Sequence, residues 1–237
     1  MSGGRAQPVR LRRGGTPSFP DPRRYDAEGL LAVGGDLSVE RLLLAYRSGI
    51  FPWYSPGFLP LWWSPDPRAD FTPESLHVSK SLRKTIARGD FELAWNREFR
   101  AVMEACAEQR SDGTWILPEL VEAYCELHAR GHAHSLEVWR GAQLVGGLYG
   151  VQIGGLFAAE SMFHRATDMS KVALVAAVRS LFAAGIVVFD VQMPNDHLVR
   201  MGCRTVPRAV YLRRLGEAVR KTVDLTGLRP GITVAPA

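Results

Sequence analysis

Three polar side chains in apolar surroundings are the first candidates for chemistry. Asp190 and Gln192 close the apolar run 185–192 (GIVVFDVQ) two residues apart, a spacing that turns both side chains to one face of a strand. A carboxylate at the end of such a run is costly unless paired or used. Asp190 therefore caps the next turn, acts as a general base or orients a polar partner. Glu160, inside AAESMF, calls for a cation, either a core arginine or a basic ligand. Trp53, Trp62, Trp63 and Trp115 fall in loop or proline-rich segments, where aromatic faces stack a splayed base or fill a core.

Cationic residues gather twice. Lys80, Arg83, Lys84 and Arg88 share one helical face, with no acid from 77 to 89. The stretch 199–223 carries Arg200, Arg204, Arg208, Arg213, Arg214, Arg220 and Lys221 against Glu217 alone. Such clusters hold a large anion in a fixed pose or form a solvated surface. His128, His132 and His134 lie near Cys125, yet Gly131 interrupts them and neither Cys-x-x-Cys nor His-Glu-x-x-His occurs, so no metal is expected.

The elements that must position these residues follow from punctuation. Ser38 is expected to cap a helix over 39–48, stopped by Gly49. Residues 49–68, with five prolines and three tryptophans, read as a rigid irregular segment. Helices are expected over 98–110 and 118–130, the latter with Pro118 at its first position. Strands 135–140 and 143–153 form a hairpin, and a third strand follows over 156–163. Ser170 is expected to cap an apolar helix over 171–184. After the strand ending at Gln192 come a short helix over 195–201 and a last strand, RAVYLRR, over 208–214.

The 237 residues, 46% hydrophobic and 22% charged, suffice for one large or two modest domains and exclude disordered and collagen-like classes. Three scattered cysteines give no disulfide framework and fit a reducing cytoplasm. The apolar stretch 172–189 is broken by Arg179 and Ser180, short of a membrane span, and the arginine-rich start lacks the apolar core of a secretory signal. The net charge of +5 belongs to residues 1–24, which hold six arginines and one aspartate. The expected organisation is α+β: a flexible leader over 1–18, a small N-terminal domain over 19–65 and a larger domain over 66–237.

The order hairpin, strand, helix, strand, helix, strand resembles the GNAT acyltransferase core. GNAT enzymes cradle the coenzyme A pyrophosphate on a glycine-rich loop before the central helix. Here that loop, HRATDMSK over 164–171, has no glycine, and Asp168 would face the pyrophosphate. A different acyl donor is implied. A coenzyme A-dependent N-acetyltransferase and a noncatalytic binding adaptor are the competing classes.

Longer blocks carry a family resemblance. GLLAVGGDLS (29–38), AYRSGIFPWYSPG (45–57), LWWSPDPRA (61–69), TWI (114–116), AYCELHARGHAHSLEVW (123–139), LVGGLYGV (144–151), ESMF (160–163), SKVAL (170–174) and DVQMPNDHLVRMG (190–202) together resemble the leucyl/phenylalanyl-tRNA–protein transferases. The resemblance spans about residues 19 to 212 in colinear order. It implies a GNAT-like domain behind a small N-terminal one, no cofactor, and a cytoplasmic monomer. The implied reaction moves Leu or Phe, and less well Met, from aminoacyl-tRNA to proteins beginning with Arg or Lys, marking them for N-degron proteolysis. It implies a catalytic set of Asp190, Gln192 and Glu160, with Asp190 orienting Gln192 and Glu160 binding the acceptor's cationic side chain. Trp53 and Trp115 would hold the terminal adenosine; Leu148, Phe157 and Met162 would line the donor pocket; Lys80, Arg83, Lys84 and Arg88 would contact tRNA. The family's middle cysteine in Asp-Cys-Gln is Val191 here, with its side chain expected to point away from the site. Its usual glycine before Glu160 is Ala159, and its usual methionine in the Gly-Gly-Met-Tyr-Gly run is Leu148.

Overall fold

The computed structural model describes residues 6–109 and 113–232. Its architecture is mixed α+β, with two sheets. The first has four strands, β1 (Val9–Leu11), β2 (Leu30–Gly34), β3 (Phe51–Pro52) and β4 (Leu61–Trp63), in the order β1-β2-β4-β3. β1 runs parallel to β2, Val9 opposite Ala32, so part of the leader expected to be flexible is a sheet edge. The Pro/Trp segment is less irregular than expected, because Phe51 pairs with Trp63 and Pro52 with Trp62 across an antiparallel ladder. Helix α1 (Val39–Arg47) connects β2 to β3. Ser38 makes no side-chain cap; its hydroxyl donates to Asp36 Oδ1 at 2.6 Å instead.

The second sheet contains β5 (Arg68–Phe71), β6 (Glu92–Trp95), β7 (Ala133–Arg140), β8 (Gln143–Ile153), β9 (Leu156–His164), β10 (Val188–Gln192) and β11 (Arg204–Val206). Their order is β11-β5-β10-β9-β8-β7-β6. β9 and β10 pair in parallel through Ala158 and Asp190, and their neighbours are antiparallel. The helices are α2 (Lys80–Arg88), α3 (Phe99–Glu108), α4 (Pro118–Ala129), α5 (Met169–Ala183), α6 (Asp196–Arg200) and α7 (Arg208–Ala218). The end expected for α3, at residue 110, lies outside the described residues.

Two apolar cores sandwich this sheet. In one, α5 lays Val172, Val175 and Val178 against Leu136, Val138 and Leu148. In the other, α3 and α4 bring Val102, Met103, Leu120 and Tyr124 onto Tyr149 and Val151, and Tyr46 and Trp62 of the N-terminal part join them. This second core crosses the change from one sheet to the other, between Trp63 and Arg68.

Two further expectations are corrected. RAVYLRR begins helix α7 rather than forming a strand. Its buried residues Tyr211, Leu212, Leu215 and Ala218 follow a helical period that a window ending at 214 conceals. Asp168, not Ser170, occupies the N-cap of α5, with φ +68°, and Ser170 is buried in the first turn.

Candidate active site

The site forms where β10 leaves its ladder. Asp190 pairs with Asp70 of β5, but the next residue in register is Gln192, opposite Ala69, so Val191 is bulged out. Gln192 takes φ +57°, and its backbone N–H donates to Asp190 Oδ1 at 2.9 Å. The bulge also turns Val191 into the site, contrary to the expectation that its side chain points away.

Below the bulge lies a buried ion pair. Arg68 donates through Nε to Asp190 Oδ1 at 2.8 Å and through Nη2 to Asp190 Oδ2 at 2.6 Å, both side chains only 1% exposed. The Tyr211 hydroxyl donates to Asp190 Oδ2 at 2.9 Å, and the guanidinium lies between the rings of Phe51 and Tyr211. Arg68 Nη1 completes its set on the Gly49 carbonyl at 3.0 Å. Gly49 suits that place: its φ is +74°, and a Cβ would come within 2.6 Å of Leu212. Both Asp190 oxygens are engaged, Oδ1 by Arg68 and the Gln192 N–H and Oδ2 by Arg68 and Tyr211. The carboxylate fixes the Gln192 backbone, not the Gln192 side chain.

Above the pair is a cavity of about 370 Å³. Glu160 and Gln192 form its polar part, with Gln192 Nε2 donating to Glu160 Oε1 at 3.3 Å. The Tyr46 and Tyr124 hydroxyls bond to each other and to Glu160. Burial pushes the Glu160 carboxyl up to about 8; the nearby Asp190 charge adds to this, and the Tyr46 hydroxyl and Arg68 oppose it. The core cation that Glu160 was expected to need is therefore committed to Asp190. Tyrosine hydroxyls are the direct neighbours of Glu160.

Trp53, Trp115, Leu148 and Met162 all line this cavity, together with Leu174 and Val191. Phe157 does not. It is fully buried beneath, against Phe189 at 5.5 Å and Trp95 at 6.4 Å between ring centres, two residues along β9 from the Ala159 that reaches the cavity wall. Trp53 is 41% exposed at the mouth, braced by Trp63, whose Nε1 donates to the Trp53 carbonyl at 2.7 Å. Trp62 is buried and donates to the Gly34 carbonyl.

The basic clusters divide. On α2, Lys80, Lys84 and Arg88 are exposed, whereas Arg83 turns back to the Val78 carbonyl at 3.1 Å. In the C-terminal cluster Arg208 is buried and donates to the Ser64 and Tyr25 carbonyls, while Arg204 and Arg214 both pair with the buried Asp70. Three of those seven cations are thus tied to buried partners. His128 stacks on Phe99 at 4.4 Å, and no group of three His, Cys, Asp or Glu side chains suited to a metal occurs among the described residues.

Sequence reading missed Arg68, Tyr46, Tyr124 and Tyr211. Their signal was indirect: a buried Asp190 needs a partner, and Arg68 lies in a proline-bracketed stretch where a surface loop would leave it free.

Sequence comparison matches the segments on either side of Arg68. A family description of the leucyl/phenylalanyl-tRNA protein transferase covers residues 71–216, and one of the N-terminal domain of that transferase covers residues 35–66. A leucyl/phenylalanyl-tRNA–protein transferase of Anaeromyxobacter sp. (strain Fw109-5) is 52% identical over 85% of this chain and 87% of its own length. Those of Edwardsiella ictaluri and Pseudomonas paraeruginosa are 51% and 54% identical, over 83% and 87% of this chain and 82% and 95% of their own. Among solved structures, L-PGS from Bacillus licheniformis superposes with a TM-score of 0.40 at 11% identity, over 70% of this chain and 53% of that one, too little to argue from. The family matches run in order through both sheets and through the Asp190 bulge, and half of all aligned residues are shared with full-length relatives; the chain belongs to the leucyl/phenylalanyl-tRNA–protein transferase family.

Proposed function

We propose that this chain moves Leu or Phe, and less well Met, from aminoacyl-tRNA to the α-amine of proteins that begin with Arg or Lys, marking them for N-degron proteolysis. Family membership makes it an aminoacyltransferase; the substrate range and residue roles are inferred. One observation carries the inference: a single cavity joins an apolar wall of Leu148, Met162 and Leu174 to the Glu160–Gln192 pair, with two tryptophans beside them.

The acceptor amine attacks the carbonyl carbon of the aminoacyl ester. A C–N bond forms, the C–O bond to the ribose breaks, the amine loses a proton and the ribose oxygen gains one. Exchange of an ester for an amide is downhill, so the protein mainly positions the reactants. Gln192 spends an N–H on Glu160, which leaves its amide oxygen to accept from the incoming amine. Asp190 acts one step behind, by holding the Gln192 backbone in its left-handed conformation. Wild-type transfer by Gln192→Ala would exclude that role.

Glu160 gives the acceptor preference a physical basis. With its carboxyl near 8 it is mostly protonated at neutral pH in the empty cavity, and a guanidinium beside it draws the proton off and gains a buried counter-charge. A neutral N-terminal side chain offers no such gain. Trp53 and Trp115 stack the terminal adenosine. Lys80, Lys84 and Arg88 meet phosphates, and Arg83 supports their helix.

The seven-stranded sheet with α5 after β9 supports a GNAT-like reading of this core. At the start of α5, where coenzyme A phosphates would need backbone amides, Asp168 receives Thr85 Oγ1 at 3.3 Å and Lys171 Nζ at 2.8 Å. That carboxylate repels a pyrophosphate, in keeping with transfer that uses no cofactor. The reaction is assigned to a monomer in the cytoplasm, where charged tRNA is found; among the described residues no helix is long and apolar enough to cross a membrane.

The test mixes the protein with radiolabelled Leu-tRNA and an Arg-initial peptide, beside a Gly-initial peptide and acetyl-CoA. Label is expected on the Arg peptide alone and is abolished by RNase. Tight tRNA binding without transfer from Leu-, Phe- or Met-tRNA would overturn the proposal.

A further inference from the structure

The arginines of the leader take no part in the cavity, yet the fold holds them in fixed places. β1 is anchored to the start of the N-terminal domain by its backbone. The Leu11 carbonyl accepts the Gly35 N–H at 3.2 Å, Asp36 Oδ2 accepts the Gly14 N–H at 2.8 Å, and the buried Arg41 donates through Nη2 to the Arg12 carbonyl at 3.1 Å. Gly34 leaves room for the strand, since its φ is +87° and a Cβ there would lie 3.0 Å from the Leu11 carbonyl oxygen. None of these anchors uses the side chains of Arg10, Arg12 or Arg13. All three are exposed, and the nearby carboxylates are committed elsewhere, Asp36 to Arg41 and Asp21 to Arg23.

Register places these cations relative to the cavity mouth. Arg10 pairs with Val33 and Val33 with Leu61, and the Leu61 carbonyl accepts the Trp53 N–H at 2.9 Å, so Arg10 and Trp53 end one row that crosses the whole sheet. Ala32, Trp62 and Pro52, in the adjacent row, are buried on the other face. Residues of one row share a face, and three strand spacings put its ends about 14 Å apart. Beside the row lies the tip of the hairpin that joins β3 to β4. The Pro60 carbonyl accepts the Gly34 N–H at 2.8 Å, and a Cβ on Gly34, opposite Leu11, would meet Leu59 Cδ1 at 3.9 Å. That tip leaves Phe58 68% and Leu59 51% exposed.

Cations spaced along a path with an aromatic face beside them suit a single strand of nucleic acid, whose phosphates take the cations while an unpaired base takes the ring. We propose that this face of the N-terminal sheet carries the unpaired 3′ tail of the tRNA away from the cavity, with Arg10, Arg12 and Arg13 on its phosphates and Phe58 against a base. The inference rests on Trp53 holding the terminal adenosine, which sets the nucleotides before it over the row that ends at Arg10. Residues 9–13 precede the segment 35–66 that the family's N-terminal domain matches, so this surface is a property of the chain rather than of that match.

The test compares two donors on the full chain: Phe-tRNA, and 3′-phenylalanyl-adenosine, which keeps the terminal adenosine and has no phosphate. With Arg10, Arg12 and Arg13 all replaced by alanine, the KM for Phe-tRNA is expected to rise about tenfold or more at physiological salt, and the slope of log Kd for tRNA against log salt to flatten by about two. The KM for phenylalanyl-adenosine should not move. Lysine at all three positions should keep the slope, which separates charge from damage to β1. Phe58→Ala should weaken tRNA binding a few-fold with the slope unchanged, and wild-type binding in that variant would overturn the base contact. Trp53→Ala should raise the KM for both donors; if it spares phenylalanyl-adenosine, the adenosine placement fails. A triple alanine variant that binds tRNA with wild-type affinity and slope overturns the inference itself. Capture of anionic phosphatidylglycerol vesicles through these arginines, with tRNA binding unchanged, would overturn it in favour of a membrane surface.

Discussion

The floor under Asp190 and the outer face of α2 both carry arginine, yet they differ in what their charges determine. At the floor, Arg68 reaches Asp190 in two-point contact with both groups out of water, and Tyr211, Gly49 and the Gln192 backbone close the remaining bonds. On α2, Lys80, Lys84 and Arg88 stand in solvent with no acid in their helix. A buried pair is a poor source of net stability but an effective geometric constraint, because every alternative leaves a charge uncompensated. An exposed stripe constrains nothing and contributes a field that salt screens. In the proposed reaction the fixed charges would place the reacting groups, and the free ones would meet a ligand that brings its own shape.

Breaking the floor should have the largest effect. Arg68→Met leaves Asp190 buried and alone, and a loss of about 3–5 kcal/mol is expected in urea unfolding. Asp190→Asn added to Arg68→Met should recover part of that loss without restoring transfer, since neither neutral side chain fixes the Gln192 turn. Full stability in Arg68→Met would remove the basis of the contrast with α2.

Glu160 sharpens the comparison through pH. Its carboxyl, near 8 in the fold against an ordinary 4.5 when exposed, holds a proton in the native state that the unfolded chain has released. The native state binds more protons between those values, so this group's contribution is full below about pH 4.5 and is lost as pH rises through 8. Glu160→Gln should flatten that part of the stability profile. The same substitution should also abolish the tightening of Arg-peptide KM as pH rises from 7 to 9, which the wild type owes to deprotonation of Glu160 beside a cation. An unchanged KM profile would mean that Glu160 does not meet the acceptor side chain.

What sequence revealed follows the same division. Elements punctuated by their own residues were legible: the hairpin around Gly141 and α4 from Pro118. The carboxylates at Glu160 and Asp190 were legible too, as anomalies in apolar runs. What depends on distant partners was hidden. The Val191 bulge exists because Asp190 must reach Arg68, 122 residues away, and β1 exists only as a partner for β2. Arg208, Arg204 and Arg214 looked like a surface because their acceptors, Ser64, Tyr25 and Asp70, lie over 100 positions earlier. Phe157 was assigned to the pocket from its place in the β9 run and does share a strand face with Ala159 of the cavity wall, but it lies two residues further from Glu160 and is covered by Phe189 and Trp95.

The exposed residues should produce smaller, separable effects. Trp53→Ala removes a stacking face at the mouth and is expected to cost about 1–3 kcal/mol, roughly five- to hundredfold in the KM for Leu-tRNA, with kcat little changed. Smallest are the α2 charges. Lys84→Ala or Arg88→Ala should weaken tRNA binding only a few-fold at physiological salt, because each removes about one phosphate contact. The diagnostic is the slope of log Kd against log salt, which should flatten by just under one for each cation removed. Stability should change little, since Lys84 stands in solvent and Arg88 makes only a long bond, 3.4 Å, to the Thr85 hydroxyl. Arg83→Ala is the internal control on the same helix: its guanidinium is committed to the Val78 carbonyl, so it should leave the salt slope intact and lower stability instead. If Arg83→Ala flattens the slope as Lys84→Ala does, the distinction between charges that build the protein and charges that meet tRNA fails on this helix.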